Sequence, residues 1–210
     1  MNRFLFATLL FLAACTPAAA PAATPQVIRV YATPATQPWL ADAYNCAQGL
    51  QVVLSNVNDP KQADISIRMG EPDQLSSPAY QIGQDDLLVV THRENQLQNL
   101  TVAEAQSLFS HPEPQAIQIW VFASGEDDQQ VFAREVLRGQ VVTSLARVAV
   151  SPQQMSDSLN QDKNGVGFLP RRWQTETLRD IFTLSKVPVL ALVKSEPQGL
   201  IKALLACLQK

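Results

Sequence analysis

The densest run of chemically capable side chains is "FASGEDDQQVF", residues 122–132, where Ser124 and Gly125 precede three successive carboxylates, Glu126, Asp127 and Asp128. A Ser-Gly turn opening a helix presents unpaired backbone N–H groups and the positive end of the helix dipole, an arrangement suited to an anion. Three acids at that point oppose one. At separations of about 4–6 Å and an effective dielectric constant near 20, each anion–carboxylate pair costs about 3–4 kcal/mol before screening. The helix dipole offsets only roughly 0.3–1 kcal/mol of that. Two uses of the acids are open. Ser124 as N-cap would put Asp127 at N3, a close variant of the Ser-x-x-Glu capping box, with Glu126 and Asp127 offsetting the positive helix end. Alternatively, the carboxylates face a cleft and receive a cationic or hydroxyl-rich ligand.

Catalytic patterns are not evident. His92 and His111 are the only histidines, and neither stands in a metal-binding spacing such as H-E-x-x-H. There is no G-x-S-x-G elbow and no P-loop. Cys46 and Cys207 fall in helix-patterned segments without a motif histidine nearby, which argues against a thiol nucleophile. The expectation is a binding protein rather than an enzyme, with no cofactor and no metal site.

The elements that would position these residues follow an amino-terminal leader. Arg3 precedes the apolar run "FLFATLLFLAA", too short to span a bilayer of roughly 30 Å. The run ends in Leu12-Ala13-Ala14-Cys15, which resembles the lipobox of bacterial lipoproteins and implies a signal peptide over 1–14 with lipidation at Cys15. Ordinary cleavage further on, for instance after Ala20, is the alternative. Residues 15–26, rich in Ala and Pro, read as an extended tether. Cleavage before Cys15 removes one base and no acid, moving the formal net charge from −3 to −4. With no basic run of four or more, nucleic acid is not an expected partner. Cys46 and Cys207 form an even pair suited to an oxidising compartment. A bond between them would tie the first helix to the last, the alternative being two separate buried thiols.

From 27 onward strands and helices alternate, which points to α/β layers. Strand patterns fall at 27–32, 50–55, 65–68, 85–93, 116–123, 146–151, 165–170, 181–185 and 187–193. Helix patterns fall at 37–47, from Thr101 to about Ser110 with a Thr101/Glu104 capping box, at 129–139 closed by Gly139, from Pro152, and in the last segment. Residues 72–84 and 111–116 read as loops.

The order of several segments resembles periplasmic solute-binding proteins of the phosphate-binding type, the type 2 periplasmic-binding-protein superfamily. "DDLLVVTHRENQLQNLTVAEAQSLFSH" is similar to that family's strand, loop and "LTxEQLxxIFSG" helix. "IWVFASGEDDQQVFAREVL" stands where the family has a strand, an R-x-x-S-G-T-like loop and a helix. "NGVGFLP" and "VPVLALVKSEPQGLIKALLACLQ" match the later turn-and-strand and the closing segment. The likeness covers residues 85–210 in register and 27–68 more loosely.

The resemblance implies two α/β lobes, about 27–84 with 186–210 and about 90–180, built on mixed sheets around a central cleft that closes by a hinge. It implies a small-molecule or ion ligand held by Thr33, Thr36, Asp85, Asp86, Ser124 and Gly125, with Glu126 and Asp127 at the same loop. Thr36 alternatively caps the first helix. The membrane would be met through the lipid anchor only, and an ABC permease would be the partner of a receptor. The alternative is a cleft-altered lipoprotein serving as a structural or interaction module of the cell envelope. The family's Arg is absent here, Val121, Phe122 and Ala123 standing before Ser124, and its Thr is replaced by Glu126. Phosphate thereby loses a charge-assisted partner. The stretch between Ser55 and Gln81 is short for a first lobe, which implies a shallow cleft.

Overall fold

Eight strands form one mixed sheet in a computed structural model that describes residues 26–112 and 117–210. The leader, Cys15 and most of the tether lie outside the described residues. β1 (Val27–Ala32) alternates exposed and buried positions, as a strand with one face on a core must. Pro34 and Pro38 then impose a 3-10 turn (Pro34–Trp39), because neither supplies an N–H for an α-helical bond. The first helix, α1, therefore occupies Leu40–Gly49 rather than 37–47. A left-handed Gln51 (φ 56°) turns the chain into β2 (Val53–Asn56), and β3 is Ile65–Met69.

The expected loop over 72–84 is shorter than its composition suggests. β4 begins at Ala79 and runs to His92, its polar first half paired with apolar residues of β8 (Leu178–Val193). Trp39 packs against Gly83, where a Cβ would lie 2.3 Å from the indole ring. β8 likewise unites the two strands expected at 181–185 and 187–193. Asp85 pairs with Val187 but Leu87 with Leu184, so β8 carries one extra residue. Left-handed Lys186 (φ 62°) absorbs it as a bulge.

Between them lie α2 (Val102–Ser110), β5 (Gln118–Phe122), α3 (Asp127–Phe132) with a π-helical turn at Ala133–Leu137, β6 (Arg147–Ala149), α4 (Pro152–Gln161) and β7 (Gly165–Pro170). The Thr101/Glu104 capping box is present, Glu104 Oε2 accepting from Thr101 N–H at 2.7 Å. A 3-10 turn (Arg171–Trp173) precedes β8, and α5 (Gly199–Leu208) closes the chain. The strand order is β2-β1-β3-β8-β4-β7-β5-β6, parallel in the outer pairs and antiparallel from β3 through β8 and β4 to β7.

Two apolar cores flank the long β4–β8 pair. One draws on Ile28, Val30, Ile65, Ile67, Val189, Ala191 and Leu204. The larger surrounds Phe109, Phe122, Phe132 and Phe168, with Phe132 and Phe168 stacked at 4.1 Å between ring centroids. Ala35 and Met69, from the amino-terminal segments, belong to this larger core, so the two halves already touch where the chain leaves β1 and β3. A Cys46–Cys207 disulfide joins α1 to α5, with Cα atoms 5.9 Å apart. Among the described residues no helix is long and apolar enough to cross a membrane.

Candidate functional site

The loops after β1, β3 and β5 meet at one carboxylate. Asp127 is 3 % exposed. Its Oδ2 accepts from Thr33 Oγ1 at 2.6 Å and from Met69 N–H at 2.6 Å, and its Oδ1 accepts from Asp128 N–H at 3.1 Å. The donors come from different parts of the fold. Thr33 follows β1 in extended conformation and is held there by its N–H on Ile67 O. Met69 ends β3, and Gly70 after it has φ 70°. A Cβ on Gly70 would lie 2.3 Å from Val131 Cγ2, so only glycine lets this loop approach α3 closely enough.

The acids do not cap α3 in the expected way. Ser124 and Gly125 are exposed, and the N-cap is Glu126, without a side-chain cap bond. The reading of Ser124 as N-cap is therefore corrected. The chain turns through Glu126 N–H to Ala123 O, and Gln129 Oε1 takes the Phe122 N–H, which together shift the helix start to Asp127. Asp127 points instead across to β1 and β3. Thr36 does not cap α1 either. It is fully buried inside the 3-10 turn, donating to Ile67 O at 2.9 Å and lying 3.0 Å from Thr33 Oγ1.

Burial dominates the electrostatics. It pushes the Asp127 carboxyl above its ordinary range, while the Thr33 and Met69 hydrogen bonds and the Arg68 charge pull it back. Asp128, 2 % exposed, is raised well above that range by burial and then by the Asp127 charge. Glu126 is raised for the same two reasons. Tyr31 is raised by burial and by Glu126 and Asp127, and burial lowers the half-buried Arg68. Arg68 donates to Gln130 Oε1 at 3.0 Å, and its buried Nε finds no partner among the described residues.

Asp85 and Asp86 serve other places. Asp86 Oδ2 takes Arg171 Nε at 2.9 Å and Oδ1 takes Lys186 N–H at 3.1 Å, which pins the β8 bulge. Asp85 is buried, raised by desolvation, and spends one oxygen on the Asp86 N–H while the other is unpartnered among the described residues. Residues that sequence reasoning missed surround the Thr33–Thr36 loop. Trp173 Nε1 donates to Ala35 O at 3.0 Å, and Arg172 lies 3.8 Å over the Trp39 ring while bonding Asp42. Met69 contributes only its backbone, so no side-chain signal could have pointed to it. Beside the Asp127 contact, a depression of about 350 Å³ is lined by Tyr31, Ser66, Arg68, Leu192 and Lys194. No group of metal-ligating side chains occurs among the described residues.

Chemically, this arrangement binds one negative charge with a hydroxyl and two backbone N–H groups, and the charge is the chain's own. No family model matches the sequence, and no curated protein matches it. Solved structures do. A candidate phosphate ABC transporter substrate-binding protein of Clostridium perfringens with bound phosphate aligns at 12 % identity and TM-score 0.77, over 87 % of this chain and 92 % of that one. An ABC-type phosphate transport receptor of Vibrio cholerae aligns at 15 % identity and TM-score 0.64, over 87 % and 93 %. The regulatory domain of CcmR from Synechocystis, in complex with 2-PG, aligns at 12 % and 0.66, over 88 % and 96 %. A fold thus shared by transport receptors and regulatory domains identifies the architecture: the chain has the two-lobed, type 2 periplasmic-binding-protein-like fold.

Proposed function

We propose that the chain is a lipid-anchored, extracytoplasmic solute-binding-like protein that carries no free oxyanion and acts as an interaction module of the cell envelope. In this reading residues 1–14 are the signal peptide, Cys15 bears the lipid, 15–26 are the tether, and the lobes are about 27–84 with 186–210 and about 90–180. One observation carries it. The Asp127 carboxylate takes the Thr33 hydroxyl and the Met69 N–H, donors that a bound anion would need. A free anion would have to displace that carboxylate and then share the site with Glu126 and Asp128. An interaction role gains support from four exposed apolar side chains, Val141, Leu145, Val148 and Val150, on the edge strand β6 and in the chain around it.

A ligand at 100 times its dissociation constant stabilises a protein by about 2.7 kcal/mol. At roughly 2–4 °C per kcal/mol for a domain of this size, Tm would rise by about 5–11 °C. No rise with phosphate, sulfate or other oxyanions is expected, and a rise of that size with phosphate would overturn the proposal. The receptor reading, with an ABC permease as partner, keeps one supporting observation. The depression beside Arg68 has the volume of a small-ligand site. A Tm rise confined to amino acids, sugars or amines would favour it.

A further inference from the structure

Asp127 does more than fill space between two chain segments. Its Oδ2 takes two donors from the opposite half of the fold, Thr33 Oγ1 and Met69 N–H, both at 2.6 Å, while Oδ1 takes the Asp128 N–H of its own helix. Both donors are prepared independently of it. Thr33 is fixed by the Ile67 carbonyl and by its neighbour Thr36, whose own proton is committed to Ile67 O or to the Thr33 hydroxyl. Met69 N–H is placed by β3 and by the left-handed turn at Gly70. A donor pair so preset, converging on a buried point, is what an anion site requires.

We infer that Asp127 is an internal ligand: its carboxylate occupies an oxyanion-binding position in the cleft, keeps it from solvent anions, and fastens α3 to the ends of β1 and β3. The inference rests on the proposed function above and names what regulates that same site. The device is autoinhibitory. Removing the carboxylate leaves Thr33 and Met69 with unsatisfied donors and opens a position that a tetrahedral dianion can enter. Glu126 caps α3 and Asp128 lies in its first turn, Tyr31 stands on β1 and Arg68 on β3, and Arg134 and Asp73 act in turn on Arg68. Acidification favours entry, because burial shifts the Glu126 and Asp128 carboxyls toward their neutral forms and each proton they take up removes a charge that repels sulfate.

The test is sulfate binding by calorimetry at pH 5.5 and 7.5 to the purified chain and to Asp127→Ala. The expected result is at least tenfold tighter sulfate binding by Asp127→Ala than by the parent, stronger at pH 5.5, and abolished when Thr33→Val is added. Asp127→Ser, which keeps a polar group at the helix start, serves in the same way if the alanine variant does not fold. Equal binding by parent and variant, or gained binding indifferent to Thr33→Val, would overturn the inference. The two failures are separable. Sulfate binding by the parent itself counts against the proposed function, whereas silence of parent and variant alike leaves that reading intact and removes this one.

Discussion

Breaking the Cys46–Cys207 bond should lower stability by an amount set mainly by loop length. The two cysteines are 161 residues apart in sequence, and the closed loop contains all of the larger core's buried residues but Ala35. In the chain-entropy account a loop of that length restricts the unfolded state by about 5 kcal/mol. Native disulfides deliver less, typically about 2–4 kcal/mol, because denatured chains are already compact. The native contact does not depend on the bond alone, since Leu40 and Ala47 of α1 and Leu204 and Leu205 of α5 share one apolar core. The folded structure should therefore survive reduction while the unfolded state gains freedom. At roughly 2–4 °C per kcal/mol, Tm should fall by about 4–16 °C. Urea unfolding of the oxidised protein, the reduced protein and a Cys46→Ala/Cys207→Ala variant measures it. The midpoint should fall in the last two, and the slope should rise because the unlinked chain exposes more surface. Equal midpoints with and without reductant would mean that the bond does not restrict the unfolded chain, and loss of the native spectrum on reduction would show the bond to be a folded-state requirement instead.

Stability should improve on mild acidification. Asp85, Asp127 and Asp128 have raised native values, so the folded chain holds protons that the unfolded chain releases. Their cost is absent below the ordinary aspartate value near 3.8 and fully present above the raised native ones, so the gain comes as pH falls through that window. Asp128→Asn should accordingly raise stability near pH 7.5 and match the parent in acid; a thermal scan across pH in which the variant is weaker throughout contradicts this. Thr101→Ala removes the capping box of α2 and should cost about 1 kcal/mol by urea titration. Gly83→Ala drives a Cβ into the Trp39 ring and should cost about 1–3 kcal/mol, with a changed tryptophan fluorescence.

Periodicity made the architecture legible where one force dominated. β1, β3, the Thr101 capping box and the Pro152 helix start follow from alternation and capping chemistry. The long crossing strands were hidden because β4 opens with polar residues that pair with β8, and because one bulge at Lys186 breaks the alternation that would have joined 181–185 to 187–193. At the site, the sequence showed the acids of 126–128 to be incompatible with an anion but not where they point. Asp127 turns inward because the helix starts two residues later than Ser124 as N-cap would place it, a shift set by Gln129 and the Ala123 turn. Its partners are a hydroxyl 94 residues away and a backbone N–H, neither of which leaves a pattern in the chain. The Arg171–Trp173 turn, which ties Asp86, Trp39, Asp42 and Ala35 together, likewise acts only through tertiary placement.

The anion that Thr33 and Met69 bind is the Asp127 carboxylate. The Met69 amide reports it most directly, by its proton shift and hydrogen exchange in a pH titration of the parent and of Asp127→Ala. A downfield, strongly protected amide that moves as Asp127 titrates is expected in the parent, and loss of both features in the variant. A Met69 amide with the same shift, protection and pH response in the two proteins would contradict it.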